Sequence, residues 1–176
     1  PIVNDITINT LWEPVKFNIY YNLNGGKNNT DNPTTYTIED KIELKPASDK
    51  LGYTFKSWDN GGAIEKGNTG DKTFTANYTP ITYKITYNCG LGENNANNVT
   101  TYNIESDTIK LLDPYYINAD FVEWQRVGVK ITEIPAGTYG DISLTAVWNK
   151  YDVKLKLNDD GESYRVIGLN TDKTDI

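Results

Sequence analysis

Cys89 is the single thiol of a 176-residue chain that contains no histidine. Those two facts together remove Cys/His zinc sites, disulfides within the chain, Ser-His-Asp triads and Cys-His dyads. The chemistry left to examine belongs to carboxylates, glycine-rich corners and aromatic rings. Asp5, Asp71 and Asp141 recur along the chain, as do Glu39 and Glu105. A glycosidase would need two such groups facing one cleft about 5 to 10 Å apart. Asp71 and Asp141 instead follow glycine in turn-like stretches, where aspartate commonly bonds local backbone. "LNDDGES" (157–163) places Asn158, Asp160 and Gly161 near calcium-loop spacing but offers no bidentate glutamate at the twelfth position, so a hairpin turn is the better reading. The expectation is no enzyme, no metal and no cofactor.

The glycine pair of "FNIYYNLNGG" (17–26) is followed by "KNNTDNPTT". A phosphate cradle would need a helix behind the loop, and this is polar turn material. Gly25-Gly26 therefore reads as a strand terminator that requires positive φ. Cys89 occupies the position of Leu23 in a related stretch, which makes it a small buried hydrophobe with no base to activate it. Trp58 and Trp124 could form a sugar platform if exposed, but recurrence at a fixed phase argues for core packing. Tyr20 and Tyr116 lie off the apolar stripe and are the candidates for surface contacts.

The elements that hold these residues form a repeat. "DITINTLW" (5–12), "DKTFTANY" (71–78) and "DISLTAVW" (141–148) are offset by 66 and then 70 residues, and so are Asn22, Asn88 and Asn158. "TTYTIED" (34–40) matches "TTYNIES" (100–106), and "YTFKSW" (53–58) matches "ADFVEW" (119–124). The four extra residues of the second unit fall in "QRVGVKITEIP", where a surface loop would absorb them. Apolar residues alternate with polar ones. Phe17, Ile19 and Tyr21 become Tyr83, Ile85 and Tyr87, then Val153, Leu155 and Leu157. In the closing strands Ile8, Phe74 and Leu144 are equivalent, as are Thr10, Ala76 and Ala146, ahead of the terminal aromatics Trp12, Tyr78 and Trp148. All are expected in the core of a sheet.

The fold class is thus mainly β (α+β), as tandem small modules with at most one short helix each. "SDKLGY" (48–53) and "GGAIEKGN" (61–68) are the places for a helical turn. The boundaries read as the end of a preceding repeat at 1–12, full repeats at 15–78 and 81–148, and the start of a further repeat or leucine-rich region at 151–176. Glu13-Pro14, Thr79-Pro80 and Asn149-Lys150 are the connectors. Linkers this short cannot act as flexible tethers, so the expectation is a stiff rod growing by roughly 25 Å per module, at about 3.3 Å per strand residue. A net charge of −7 offers no source for phosphate neutralisation, which argues against nucleic acid. No run of 18 apolar residues is present, so no membrane insertion is expected in this segment.

"YNLNGG", "LGYTFKSWDNGG" and "KTFTANY" resemble the Listeria-Bacteroides repeat, or internalin B-type repeat, well over residues 15–78 and less well over 81–148. The resemblance implies β-grasp-like modules on a bacterial surface protein, extracellular, arrayed as stalk and interaction segment. The second unit departs from the pattern with "YNCGLG" and "NADFVEW", and its loops are expected to differ while its core persists. The tail "YRVIGLNTDKTDI" (164–176) is similar to the lead-in of BspA-like leucine-rich repeats. In a bacterial surface protein the Asn-x-Ser/Thr triplets at Asn28, Asn77 and Asn98 are incidental. The reading is a non-catalytic spacer whose partners are neighbouring repeats of its own chain and a host protein or glycan. The alternative is a carbohydrate- or host-protein-binding module with affinity in this segment itself.

Overall fold

A computed structural model describes residues 10–170. Two compact units divide between Thr79 and Pro80. Strand is the dominant element in both, because β-branched and aromatic residues alternate with polar ones along short runs ended by Asn and Gly.

The first unit contains β1 (Lys16–Asn22), β2 (Thr35–Thr37), β3 (Ile42–Glu43), β4 (Tyr53–Trp58), β5 (Ala63–Ile64) and β6 (Lys72–Pro80). Its main sheet has the order β2-β1-β6-β4, and β3 pairs with β5 beside it. The second unit repeats this plan with β7 (Tyr83–Asn88), β8 (Thr101–Tyr102), β9 (Ile109–Lys110), β10 (Ala119–Arg126), β11 (Val129–Ile131), β12 (Glu133–Ile134) and β13 (Ile142–Lys150). Here the order is β11-β10-β13-β7-β8, with β12 paired to β9. In each unit the opening and closing strands are adjacent and parallel. Ile19 to Asn22 lie against Lys72 to Thr75, and Ile85 to Asn88 against Ile142 to Thr145.

The alternation places one stripe inside. Ile19, Tyr36, Trp58, Ile64, Phe74 and Ala76 are buried in the first unit, and Ile85, Tyr102, Trp124, Ile134, Leu144 and Ala146 in the second. Phe17, Tyr21, Tyr78, Tyr83, Tyr87 and Trp148 are half-buried around these cores. Trp58 packs between Tyr21 and Phe55, with ring centroids at 5.5 and 5.4 Å, and Trp124 between Tyr87 and Phe121 at 5.3 and 5.5 Å. The tryptophans are therefore core residues.

Several expectations need correction. Residues 48–53 form a tight turn around Gly52, not a helical turn, because Gly52 sits at φ 76°. The one helical element among the described residues, a 3-10 turn at Asp59–Gly62, is distorted, since Asn60 and Gly61 have left-handed φ of 52° and 76°. The extra residues of the second unit do not form a loose loop. They build a hairpin in which Arg126 pairs with Val129 across Val127-Gly128, both at positive φ, and β11 extends the sheet. Thr79-Pro80 and Asn149-Lys150, read as connectors, belong to the closing strands, which leaves Ile81-Thr82 and Tyr151 between strands.

After β13, β14 (Asp152–Leu157) and β15 (Tyr164–Asn170) form a two-stranded hairpin. Its turn holds Asp160, whose carboxylate accepts the Glu162 and Ser163 amides, as the Asp-Gly turn reading expects. Leu155 and Leu157, expected in a core, are 57% and 44% exposed, since only two strands are present and no second layer covers them. Trp12, expected in a core, is 85% exposed, and Thr10 is exposed as well. Ile8, most of the 1–12 segment and residues 171–176 lie outside the described residues, as does the side chain of Val153.

Candidate functional site

The polar groups singled out in the sequence bind backbone. Asp71 Oδ1 accepts the Asn18 amide at 2.7 Å, and its carboxylate also takes the Asn18 side-chain amide. Asp141 accepts the Lys84 amide at 2.8 Å. These partners are more than fifty residues away in sequence, so the recurring aspartates clip the opening strand across the sheet instead of bonding local backbone. The Asn18 amide, followed by the Asn18 side chain, holds the Asp71 carboxyl below its usual range. Asp49 and Asp59 accept the Phe55 and Thr75 amides, each at 2.7 Å. Glu39 and Glu105 lie in turns where their own amides bond Thr37 Oγ1 and Asn103 Oδ1. Among the described residues no group of three or more Cys, Asp or Glu side chains is gathered to hold a metal. Cys89 is buried, and burial pushes its thiol pKa up.

A buried asparagine in each unit escaped the sequence reading. Asn32 donates to Lys45 O at 3.0 Å and Asn28 Oδ1 at 2.8 Å, and accepts the Lys45 amide at 2.6 Å. Asn98 does the same with Leu112 and Asn94. The carbonyl that receives the asparagine also receives the tryptophan, Trp58 Nε1 at 2.9 Å and Trp124 Nε1 at 3.0 Å. Core and loop are therefore joined through one oxygen in each unit. The available signal was the 66-residue recurrence of Asn28, Asn29 and Asn32 as Asn94, Asn95 and Asn98.

The glycine corner is a second missed constraint. Gly25 does have φ 91°, but Gly26 needs to be glycine for another reason: a Cβ there would lie 1.7 Å from Tyr78 Oη and 3.1 Å from Ser48 O. Its equivalent, Gly92, would place a Cβ 2.5 Å from Trp148 Cζ2 and 2.9 Å from Tyr115 O. The closing aromatic of each unit thus rests on the second glycine of the corner. Leu91 replaces Gly25 and is 78% exposed, so only the first position is free to vary.

Around that aromatic the two units diverge. In the first, Lys50 Nζ sits 4.1 Å from the Tyr53 ring centre and 5.0 Å from that of Tyr78, and donates to Asn24 O at 3.1 Å. The corner is filled. In the second, Tyr116 stands for Lys50, Ala119 for Tyr53 and Trp148 for Tyr78. A groove of about 280 Å³ opens there, lined among others by Tyr115, Tyr116, Asp120, Phe121, Trp148 and Tyr151. Tyr116 and Phe121 each meet Trp148 edge-on at 5.8 Å. Trp148 is fixed by its Nε1 bond to Cys89 O at 3.1 Å, and Tyr115 by paired backbone bonds with Glu93. Tyr151 donates to Asp120, which raises the Tyr151 pKa.

Of the two surface candidates, Tyr20 is 54% exposed on the outer face of β1. Tyr116 is not a free surface ring. It is half-buried against Trp148, because Ala119 leaves space beside it. The two tyrosines belong to different units.

No curated protein matches the chain. Among solved structures it is similar to domains 3-4 of the Streptococcal High Identity Repeats in Tandem (SHIRT) from a cell surface protein, at 16% identity over 76% of this chain and 96% of that one. The TM-score is 0.28. The Listeria-Bacteroides repeat domain model matches residues 17–81, which span the first unit from β1 through the Gly26 corner and the buried Trp58 to β6.

Proposed function

We propose that this chain is a non-catalytic segment of an extracellular bacterial surface protein, in which residues 15–78 and 81–148 are two copies of one β-grasp-like spacer module. The observation that carries this reading is the parallel pairing of the strand that opens each unit with the strand that closes it. The chain enters a unit on β1 or β7 and leaves on β6 or β13, so tension along the chain draws the two central strands past each other. Their ladder bonds then share the load together instead of opening one at a time. Asp71 and Asp141 extend that ladder by a residue, at Asn18 and Lys84. The recurring aspartates bond structural amides, which supports the non-catalytic reading.

Short connectors suit the same role. Two residues separate β6 from β7 and one separates β13 from β14, too few for a flexible tether. The test is single-molecule pulling between the chain ends. Two unfolding events are expected, each releasing about 200 Å for a module near 65 residues at roughly 3.5 Å per residue. Extension without discrete events would count against the proposal.

A further inference from the structure

We infer that the groove of the second module binds a neutral sugar ring. A pyranose presents a face of C–H groups and a rim of hydroxyls, so a site for it needs aromatic rings beside hydrogen-bonding groups, held in place before the ligand arrives. The groove supplies both. Tyr116 and Phe121 each pack edge-on against Trp148 to form one aromatic wall, and Tyr115 beside it is 66% exposed. Asp120 and the Tyr151 hydroxyl, bonded to each other, lie on the same groove. The Trp148 ring is held by its Nε1 bond to Cys89 O and the Tyr115 backbone by paired bonds with Glu93, which limits the ordering needed on binding.

Size and charge narrow the ligand. At about 280 Å³ the groove sits at the lower end of ligand pockets, suited to one ring or a chain end. A carboxylate lines it and no Lys or Arg does, within a chain of net charge −7. Anionic sugars are therefore disfavoured and neutral hexoses and N-acetylhexosamines favoured.

The first module is the internal control. The same corner there is occupied by Lys50 over Tyr53 and Tyr78, which leaves no open aromatic wall. Lys50 to Tyr116, Tyr53 to Ala119 and Tyr78 to Trp148 are among the changes between the filled corner and the groove.

The experiment is an amide-resolved NMR titration of the whole 176-residue chain with glucose, N-acetylglucosamine and glucuronate. The expected result is saturable shifts at Tyr115, Tyr116, Asp120 and the Trp148 indole N–H, none at Lys50, Tyr53 or Tyr78, and at least several-fold weaker binding of glucuronate. The double variant Tyr116→Lys, Ala119→Tyr restores the two residues that fill the first module's corner and should weaken binding at least tenfold. Tyr115→Ser alters only an exposed ring, keeps the fold, and should weaken it several-fold. No saturable shift with either neutral sugar, equal binding of glucuronate, or unchanged affinity in Tyr115→Ser would overturn the inference. The spacer reading, tested by pulling, stands apart from any of these outcomes.

Discussion

Replacing Gly26 by alanine tests whether the closing aromatic governs the corner. The added Cβ would fall 1.7 Å from Tyr78 Oη, so the ring must leave. Tyr78 then loses its bond to Ser48 O at 3.2 Å, a contribution of about 1 kcal/mol. It also loses the edge contact with Phe55 at 5.9 Å, about 1 kcal/mol, and the Lys50 ammonium at 5.0 Å, about 0.5 kcal/mol. Gly26 does not occupy the left-handed region, so alanine adds no backbone strain and stiffens the unfolded chain, which offsets about 0.5 kcal/mol. The net loss is about 2 kcal/mol, or roughly 8 to 16 °C in the melting temperature of a domain this small. Thermal unfolding by calorimetry measures it. The decisive arm is the double-mutant cycle with Tyr78→Ala, in which Gly26→Ala should cost almost nothing once the ring is gone. An equal loss in both backgrounds, or no loss in either, would refute the steric argument.

Three further outcomes follow from the polar clips and the buried thiol. Asn32→Ala strands both the Lys45 amide and one bond to its carbonyl, and should lower first-module stability by about 2 kcal/mol in urea unfolding. Asp71 has a depressed folded pKa, so its contribution is present above the unfolded value near 3.8 and is lost as pH falls through the folded value. Acid titration of stability should show that loss in the parent and a smaller one in Asp71→Asn. Cys89, buried and with its pKa raised, should react with iodoacetamide at neutral pH far more slowly in the native chain than in urea.

Much of the fold was legible because strand periodicity is local. Ile19 and Ile85, picked from alternation alone, are buried, and the half-buried rings beside them fall on the same stripe. Trp58 and Trp124 were legible from recurrence, since two core tryptophans at one phase leave little room for a ligand role. What escaped is long-range. Asn32 reads as turn material until Lys45, thirteen residues on, comes back to it. Gly26 reads as a φ requirement until Tyr78 arrives from the far end of the unit. The hairpin of the second unit was hidden in "VGVKI", because Val127, β-branched and suited to a strand, sits at positive φ in its turn. The groove was the least legible, because it arises from what Tyr116 and Ala119 jointly fail to fill, and neither residue signals that alone.

The spacer account rests most directly on the direction of force. In the first module, pulling with handles at Lys16 and Pro80 should draw β1 along β6 and load the pairs from Ile19–Lys72 to Asn22–Thr75 together. Handles at Asn22 and Thr75 should instead open the same ladder pair by pair. The account predicts a rupture force several-fold higher in the first geometry, lowered by Asp71→Ala. Equal forces in the two geometries would contradict it.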